Sequence, residues 1–407
     1  MADNKDKKVL NVPALRFPEF TEEWEEHYLA EYLDFKNGLN PSANKFGSGI
    51  KFISVMDILN NDFITYDCIR TSVEITPEEQ VAFAVEKGDM LFQRSSETLE
   101  DVGRANVYMD DRPAVFGGFV IRGKKKAEYN PMFFRYLLAS PYARKKVIPM
   151  GAGAQHFNIG QDGLSKVKLH FPILQEQQKI ADLLRLINER ISTQNKIIED
   201  LKKLKSAIVE MILCKQGGVL LKLGDVGSFI RGLTYSSEDI AEDINATTVI
   251  RANNLNYGNN VSKKDVVYVN KKPTEIQILR KGDIVICMAN GSSSLVGKNS
   301  YYSFDDRQST IGAFCGIYRS SQPLVKWLMQ SQRYRRLVYQ SLQGGNGAIA
   351  NLNGDDILNM TFYVVEDKKS VSILSALVLI ENSIAVNEKL QELYSMQKEY
   401  LLQHLFI

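Results

Sequence analysis

The side chains best suited to binding chemistry lie in two loops that follow the same short frame. Residues 87–89 (Lys-Gly-Asp) lead into residues 93–98 (Gln-Arg-Ser-Ser-Glu-Thr), and residues 281–283 (Lys-Gly-Asp) lead into residues 287–292 (Cys-Met-Ala-Asn-Gly-Ser). Arginine can donate two parallel hydrogen bonds to guanine, and asparagine can pair in the same way with adenine. Loops that differ on a shared scaffold often carry recognition. We therefore predict contacts to nucleic-acid bases by Arg94, Ser95, Ser96, Asn290 and Ser292.

Further candidates lie later in each half of the chain. Arg104 and Lys298 each follow a Val-Gly dipeptide, and both are candidate phosphate contacts. Two loops rich in glycine and amide side chains offer more donors and acceptors. The alternative for all of these loop residues is that they are turn residues bonding to their own backbone. The predicted contacts from the two amide-rich loops are Gln155, His156, Asn158, Asn346 and Asn351.

No catalytic or metal-binding motif is evident in the sequence. Residues 291–299 resemble a phosphate loop, but five residues separate Gly291 from Gly297, and Asn299 replaces the hydroxyl that binds Mg²⁺. The four cysteines form no CxxC pair and the four histidines are scattered, so neither a zinc site nor a disulfide framework is expected. The sequence predicts a chain with no catalytic residue, no metal and no bound cofactor of its own.

The two loops belong to an internal repeat. Residues 87–92 (Lys-Gly-Asp-Met-Leu-Phe) match residues 281–286 (Lys-Gly-Asp-Ile-Val-Ile) at an offset of 194, and residues 102–104 match residues 296–298 at the same offset. Further matches keep the same order along both halves. Such a repeat means that one structural unit occurs twice. We predict two copies, at about residues 20–215 and 216–407.

Each copy combines short β-like runs with a short helix, followed by a long helix. Turn residues separate the β-like runs, as strand connections require. The short helices are predicted at residues 131–146 and 322–342. The predicted strands are residues 50–55, 89–92, 115–122 and 167–171 in copy one, and residues 248–251, 283–288, 311–318 and 360–365 in copy two.

The long helix of copy one is predicted at about residues 173–214, where neither Gly nor Pro interrupts the chain between residues 175 and 215. Its apolar residues alternate in steps of three and four, as in a coiled-coil seam. We expect the two long helices to pack on each other, and the alternative is that each packs along its own domain. The predicted seam is Leu184, Ile187, Ile191, Ile198, Leu201, Ile208 and Ile212, with Gln194 and Lys205 between them, and in copy two Leu379, Val386, Leu390, Leu393 and Tyr400.

Composition and charge limit the class of protein. The 407 residues are 44% hydrophobic and 24% charged, typical of a globular chain, and the net charge of +2 excludes a polycation. Residues 32–170 carry a net charge of +2 and residues 216–365 carry +4, whereas residues 1–31 carry −4. Clusters of cations occur at residues 124–126, 144–146 and 333–336. They predict phosphate contacts by Lys145, Arg333 and Arg335, and the alternative is a solvated helix face.

The expected environment is the cytoplasm. Residues 1–8 are polar and charged, without an apolar signal segment after them. Aliphatic runs such as residues 376–380 are too short for a bilayer, which needs about 20 residues. We therefore expect no contact with a membrane.

These features resemble the specificity subunit, HsdS, of type I restriction-modification systems. The similar residues are Glu176-Gln177-Gln178-Lys179-Ile180 at the start of the first long helix, the opening segment at residues 12–24, and the Lys-Gly-Asp and Val-Gly-Arg/Lys frames of both copies. Copy two departs from this pattern, because it has Asp-Lys-Lys-Ser-Val at residues 367–371. The resemblance covers essentially the whole chain.

The resemblance implies an α+β fold of two pseudo-repeated mixed α/β target recognition domains, joined by two long helices packed as an antiparallel coiled coil. Residues 1–171 would form an N-terminal arm and the first recognition domain, residues 172–215 the first helix, residues 216–365 the second recognition domain, and residues 366–407 the second helix. Each domain would enter the major groove of double-stranded DNA at one half of a bipartite site, with the helices setting the distance between the halves.

The resemblance also implies partners. The chain would be a non-catalytic subunit that docks two modification (methyltransferase) subunits, HsdM, and two restriction/translocase subunits, HsdR. S-adenosylmethionine, ATP and Mg²⁺ would be bound by those partners. The predicted docking residues are Glu176, Gln177, Gln178 and Lys179. Two alternatives from other classes are a catalytically inert coiled-coil scaffold without DNA specificity and a DNA enzyme with an unrecognised site.

Overall fold

The structure is a computed structural model that describes residues 11–214, 218–342, 350–365 and 367–407. The chain forms two compact units. Unit 1 contains the residues up to Asn195 together with Lys389–Ile407, and unit 2 contains Lys196–Glu388. The domain boundaries expected at residues 215–216 and at residue 366 fall on positions outside the described ranges.

Unit 1 is built around a four-stranded antiparallel sheet. Its strand order is Leu33–Asn37, Val120–Lys125, Met90–Gln93, Ala105–Val107. The other strands of this unit are Glu25–Tyr28, Phe46–Ile53, Ser72–Val73, Ser95–Ser96, Val115–Phe116, Phe157–Asn158 and Lys168–Phe171. Its short α-helices are Leu29–Tyr32, Val55–Asn60, Pro77–Ala82, Pro131–Ala139, Pro141–Val147 and Gln161–Ser165.

Unit 2 contains a four-stranded antiparallel sheet of the same plan. Its strand order is Gly227–Arg231, Cys315–Ser320, Ile284–Cys287, Asn299–Tyr301. A second sheet has the order Ile240–Ala241, Val267–Val269, Thr247–Ile250, Ser309–Ile311. The remaining strands are Val219–Lys222, Ala289–Asn290, Ala350–Asn351 and Thr361–Val364, and the short α-helices are Leu223–Val226, Val325–Leu328, Gln332–Leu342 and Gly354–Leu358.

The predicted repeat is therefore a repeat of structure. Equivalent strands of the two central sheets begin 194 or 195 residues apart and pair in the same order. In the Lys-Gly-Asp frame, Gly88 and Gly282 have φ angles of +94° and +105°, which favour glycine because it lacks a Cβ atom. The aspartate of each frame is buried and accepts backbone hydrogen bonds: Asp89 from Glu86 and Lys125, and Asp283 from Arg280. The frame recurs because it closes the turn that leads into the central strand.

The two predicted short helices are each divided in two. In unit 1 the break lies between Ala139 and Pro141, and Ser140 accepts a hydrogen bond from the backbone of Ala143 at 3.2 Å. Proline is favoured in the first turn of a helix, and serine is a good N-cap residue. The Ser-Pro pair therefore starts a new helix where the sequence pattern predicted a continuous one.

The long helices are Leu174–Glu210 and Asp367–His404, and each passes from one unit into the other. In unit 2, Lys202 Nζ lies 2.7 Å from Glu388, and Lys205 Nζ lies 3.4 Å from Glu381. In unit 1, Arg190 lies over the ring of Tyr394 at 5.9 Å. In unit 2 the residue numbers rise along one helix while they fall along the other, so the two helices are antiparallel there. This confirms the predicted fold class.

The seam predicted for the first long helix is confirmed. Leu184, Ile187 and Ile198 are buried, and so are the polar seam residues Gln194 and Lys205. Ile191, Leu201 and Ile208 are half-buried, and Ile212 is buried just beyond the end of the helix at Glu210. Lys205 lies 5.4 Å from the ring centroid of Trp327, and burial lowers the pKa of its ammonium group. The seam therefore tolerates a lysine because Glu381 and an aromatic ring are both close to it.

The seam predicted for the second long helix was wrong. Leu377, Ile384 and Leu401 are the buried apolar residues among the described side chains of this helix, and they lie on another face. The helix carries two apolar stripes, and spacing alone does not show which one faces the protein. The predicted seam residues form an exposed stripe instead: Leu379, Val386, Leu390, Leu393 and Tyr400.

The second long helix is unusually apolar for a helix with so much exposed surface. By length and composition alone Ser370–His404 could cross a membrane, contrary to the expectation that no segment is long enough, and 17% of its most apolar 18-residue window is buried. One face is occupied by protein, because Glu381 pairs with Lys205 and Lys326 in unit 2. Several apolar side chains on the other faces of this helix are exposed.

The core of unit 1 includes residues that are distant in sequence. Trp24 and Phe133 pack against Phe406, with ring centroids 6.4 and 5.7 Å apart. Leu401 and Leu405 belong to the same cluster, together with Leu184 and Ile187 of the first long helix. Unit 1 is therefore completed by the C-terminal part of the second long helix.

Candidate nucleic-acid interface

Two predicted loops of unit 1 meet at a short antiparallel strand pair. Ser95–Ser96 pairs with Phe157–Asn158, which places Ser95 opposite Asn158 and Ser96 opposite Phe157. The hydroxyl of Ser95 donates to the side-chain oxygen of Asn158. The pairing thus gathers two sets of candidate donors and acceptors at the end of one central strand.

Unit 2 builds the same arrangement with different side chains. Ala289–Asn290 pairs with Ala350–Asn351, and Asn290 lies opposite Ala350. Asn351 is exposed and Asn290 is half-buried. The predicted contact Asn346 lies outside the described residues. The two units therefore present unlike hydrogen-bonding groups from one backbone arrangement.

Arg94 directly precedes the paired strand Ser95–Ser96 of unit 1. Its Nη1 atom donates to the carbonyl oxygen of Gly118 at 3.3 Å, and its backbone amide donates to Phe119 at 2.9 Å. Arg94 as a whole is half-buried. Bound in this way, Arg94 is held beside the turn at residues 117–119.

Some loop residues also bond within their own turn. Asn290 Oδ1 accepts from the backbone of Ser292 at 3.0 Å, and Ser96 Oγ accepts from Thr98 at 3.2 Å. Both side chains retain further hydrogen-bonding capacity, because an amide has two donors and a hydroxyl can donate. Gln155 and His156 are exposed in the loop that precedes Asn158.

The predicted phosphate contacts occupy several elements. Arg104 is exposed and pairs with Asp101 at 2.6 Å, whereas Lys298, its equivalent in unit 2, is half-buried. Lys145 is exposed on the helix Pro141–Val147. In the helix Gln332–Leu342, Arg333 is exposed and Arg335 lies 4.9 Å from the ring of Tyr257.

Sequence reasoning missed a cationic cleft of about 300 Å³ in unit 1. Its charged lining residues are Arg104, Arg135 and Arg144, with Glu100 as the one acidic group. Arg144 donates to the carbonyl oxygens of Glu100 and Val102 at 2.8 and 2.6 Å, and burial lowers its pKa to about 10. Its Nη1 atom is buried without a hydrogen-bond partner in the described ranges. Arg135 lies nine residues earlier on another helix, so no sequence signal linked these cations.

The predicted docking residues differ in accessibility. Glu176 is buried in an ion pair with Arg16, and Gln177 is buried between the backbone of Asn130 and that of Pro172. Gln178 and Lys179 are exposed. The docking role stays a prediction, and of the four side chains only these two are accessible in the described structure.

Among the residues that the structure describes, no group of three or more His, Cys, Asp and Glu side chains is placed to hold a metal ion. The four cysteines are free thiols, and Cys287 and Cys315 are buried. Burial raises the pKa of the Cys315 thiol to about 12. The candidate surface is thus one of amide, hydroxyl and guanidinium groups, which suit recognition of bases and phosphates.

Comparison with known proteins agrees with this geometry. The family model described as "Type I restriction modification DNA specificity domain" matches residues 21–203. The type I restriction enzyme EcoKI specificity subunit of Escherichia coli K12 is 28% identical over 164 residues, which are 39% of this chain and 35% of that protein. Residues 21–203 of this chain are therefore similar to the DNA specificity domain of type I restriction-modification systems.

A second curated protein and a solved structure are also similar to this chain. The MjaVIII specificity subunit of Methanocaldococcus jannaschii is 24% identical over 201 residues, 48% of this chain and 46% of that one. The chain therefore spans between a third and a half of the length of these curated relatives. The S subunit of a type I system from M. genitalium has the same fold, with a TM-score of 0.60 and 14% identity over 97% of this chain and 99% of that one.

Proposed function

We propose that this specificity subunit recognises an asymmetric bipartite DNA site, with each unit binding one half. The observation that carries the proposal is the paired loop. One sheet frame presents Ser95, Ser96 and Asn158 in unit 1, and it presents Ala289, Asn290 and Asn351 in unit 2. A shared frame with unlike side chains would dock on DNA in one way and read two sequences.

The charge distribution supports binding to double-stranded DNA. Arg94 and the Arg104/Arg135/Arg144 cleft give unit 1 several cations, and Arg333 and Arg335 are exposed cations of unit 2. Contacts of lysine and arginine with phosphates release counterions and make the affinity depend on salt. Base contacts would then add the preference for one sequence.

The chain would supply specificity and leave the chemistry to its partners. The modification subunits, HsdM, would bind S-adenosylmethionine and methylate adenine, and the restriction subunits, HsdR, would use ATP and Mg²⁺. We propose two copies of each partner, because the chain contains two units with the same sheet plan. The whole complex would act in the cytoplasm.

The exposed apolar stripes are the proposed docking faces for the modification subunits. In unit 2 the first long helix exposes Ile197 and Leu204, and the second exposes Leu379 and Val386. In unit 1 the exposed set comprises Leu390, Leu393, Met396 and Tyr400. Spacings near seven residues suit the packing of a further helix against each face. Gln178 and Lys179 would add polar contacts.

Methylome sequencing tests the proposal. Deleting the gene from its host should remove methylation from one bipartite adenine motif, and unchanged methylation at every motif would contradict the proposal. Exchanging residues 216–365 for those of another family member should change one half of the motif and keep the other. A change in both halves would rule out one unit per half-site. Binding without sequence preference would favour the scaffold alternative.

A further inference from the structure

Each unit exposes one large aromatic side chain at the same turn. Phe119 is 68% exposed and Phe314 is 70% exposed. Phe119 lies between the strands Val115–Phe116 and Val120–Lys125, and Phe314 lies between Ser309–Ile311 and Cys315–Ser320. Single exposed apolar residues are common on protein surfaces. However, the general occurrence of exposed apolar residues does not explain why an exposed phenylalanine is found at the same turn in both units, whose loops otherwise differ.

Both turns are fixed to the body of their unit. Gly117 donates its backbone amide to Ile53, and Gly312 donates to Ile250, each at 3.0 Å. A Cβ atom on Gly38 would lie 2.2 Å from the carbonyl oxygen of Gly117, so the two backbones touch. Gly232 approaches Gly312 in the same way, with 2.1 Å for its Cβ position. The ring is therefore presented by a rigid turn.

The turns are bonded directly to the candidate recognition strands. The carbonyl oxygen of Phe119 accepts from the backbone of Arg94 at 2.9 Å, and that of Phe314 accepts from Met288 at 2.8 Å. In both units the exposed ring therefore lies next to the loop whose side chains differ between the units, residues 93–98 in unit 1 and residues 287–292 in unit 2. A ligand that reaches those loops would meet the ring.

Polar groups suited to nucleic acid surround each ring. Two clefts of about 290 and 570 Å³ flank Phe314; the first is lined by Arg231 and Asn351, and the second by Arg251 and Asn290. In unit 1, Arg94 bonds to Gly118, and Asn40 packs against the same glycine, whose Cβ position lies 1.9 Å from Asn40 Oδ1. Guanidinium and amide groups beside an aromatic ring can bind phosphates, base edges and base faces together.

We propose that Phe119 and Phe314 are base-contacting residues, each placing its ring on a base of the half-site that its own unit binds. This inference rests on the proposed function. The contact is either with the methyl edge of a thymine or with the face of an unstacked base, since both accept an aromatic ring.

The test uses the full-length chain as it assembles in its host, with duplexes that carry the motif found by methylome sequencing. Phe119→Ala and Phe314→Ala should each weaken binding to the motif duplex by roughly 5- to 150-fold. Binding to a scrambled duplex, its salt dependence and the Tm should stay unchanged. Each effect should vanish when the half-site of that unit alone is scrambled.

Matched controls come from exposed apolar residues elsewhere on each unit. Val81→Ala in unit 1 and Ile276→Ala in unit 2 remove side chains that are 80% and 60% exposed, and neither should alter binding. Replacing thymine by deoxyuracil should reproduce the loss if the ring contacts a methyl group. A rise in 2-aminopurine fluorescence that depends on the phenylalanine would instead identify stacking on an unstacked base.

The two possible failures are distinguishable. If the wild-type chain prefers the motif duplex and both variants bind within twofold of it, the inference is overturned and the proposed function stands. If the wild-type chain does not distinguish the duplexes, the proposed function fails and the inference falls with it.

Discussion

Arg16 and Glu176 form a two-point ion pair within unit 1. Arg16 Nε and Nη2 each donate to a different oxygen of the Glu176 carboxylate at 2.8 Å. Glu176 is fully buried, and its hydrogen bond raises the pKa of Arg16. The pair fixes the N-terminal segment to the first turn of the long helix Leu174–Glu210.

Removing Arg16 should destabilise the protein strongly. Arg16→Ala leaves a buried carboxylate without its counterion, which typically costs about 3–5 kcal/mol. Arg16→Lys keeps the charge and loses the two-point geometry, so its effect should be smaller. Urea unfolding of unit 1 measures both. Lys179→Ala breaks an exposed pair with Glu19 and serves as the control, and it should change the free energy of unfolding little. A loss below 1 kcal/mol for Arg16→Ala would contradict the structural role.

Base and phosphate contacts in unit 1 should respond differently to mutation. Arg94→Ala should weaken binding to the motif by about 1–3 kcal/mol and relax selectivity at one base pair. Lys145→Ala should weaken binding to all sequences alike and reduce the slope of log affinity against log salt by about 1. Titrations of motif and scrambled duplexes at several salt concentrations separate the two. Equal effects on both duplexes for Arg94→Ala would exclude it as a base contact.

The exposed stripe of the second long helix should matter for assembly and not for folding. Val386 is 61% exposed, so Val386→Glu should leave the Tm unchanged and abolish binding of the modification subunit. Ile384→Ala is the converse control, because Ile384 is buried and its truncation should cost about 2–5 kcal/mol. Size-exclusion chromatography of the mixed subunits and thermal unfolding measure both effects. A normal complex with Val386→Glu would exclude this face as a docking site.

Asp306 should make unit 2 sensitive to acid. Burial alone would raise the pKa of Asp306, but hydrogen bonds from Lys263, Tyr302 and Ser309 lower it from 3.8 to about 2. A carboxylate with a lowered folded-state pKa stabilises the fold above its ordinary pKa, and this contribution is lost as the pH falls from about 4 towards 2. Urea unfolding between pH 2.5 and pH 5 should show a shallower pH dependence for Asp306→Asn than for wild type. Parallel curves would contradict the prediction.

The repeat and its frame could be predicted because local chemistry specifies them. Gly88 and Gly282 recur since the turn needs a positive φ, and Asp89 and Asp283 recur since each closes that turn by accepting backbone hydrogen bonds. The seam of the first long helix was also predictable, because it is the dominant apolar stripe of that helix.

Other features depend on contacts that spacing does not encode. Ser95 and Asn158 are 63 residues apart, and only the folded strand pair brings them together. In the second long helix, Leu377 and Leu379 both belong to apolar stripes, but only Leu377 faces the protein. Which stripe of this helix is buried depends on the surface of the unit that packs against it. The exposure of Phe119 and Phe314 likewise depends on the close approach of two backbones.

Unit 1 needs residues from the end of the second long helix to complete its core, and this affects how the chain folds during synthesis on the ribosome. Leu401, Leu405 and Phe406 belong to the core that contains Trp24 and Phe133, and all of unit 2 lies between these groups in the chain. During translation, unit 2 can therefore finish folding before unit 1 has its complete core. Until the C-terminal residues are synthesised, the apolar core residues of the N-terminal segment stay partly exposed. Exposed apolar surface of this kind is what chaperones bind.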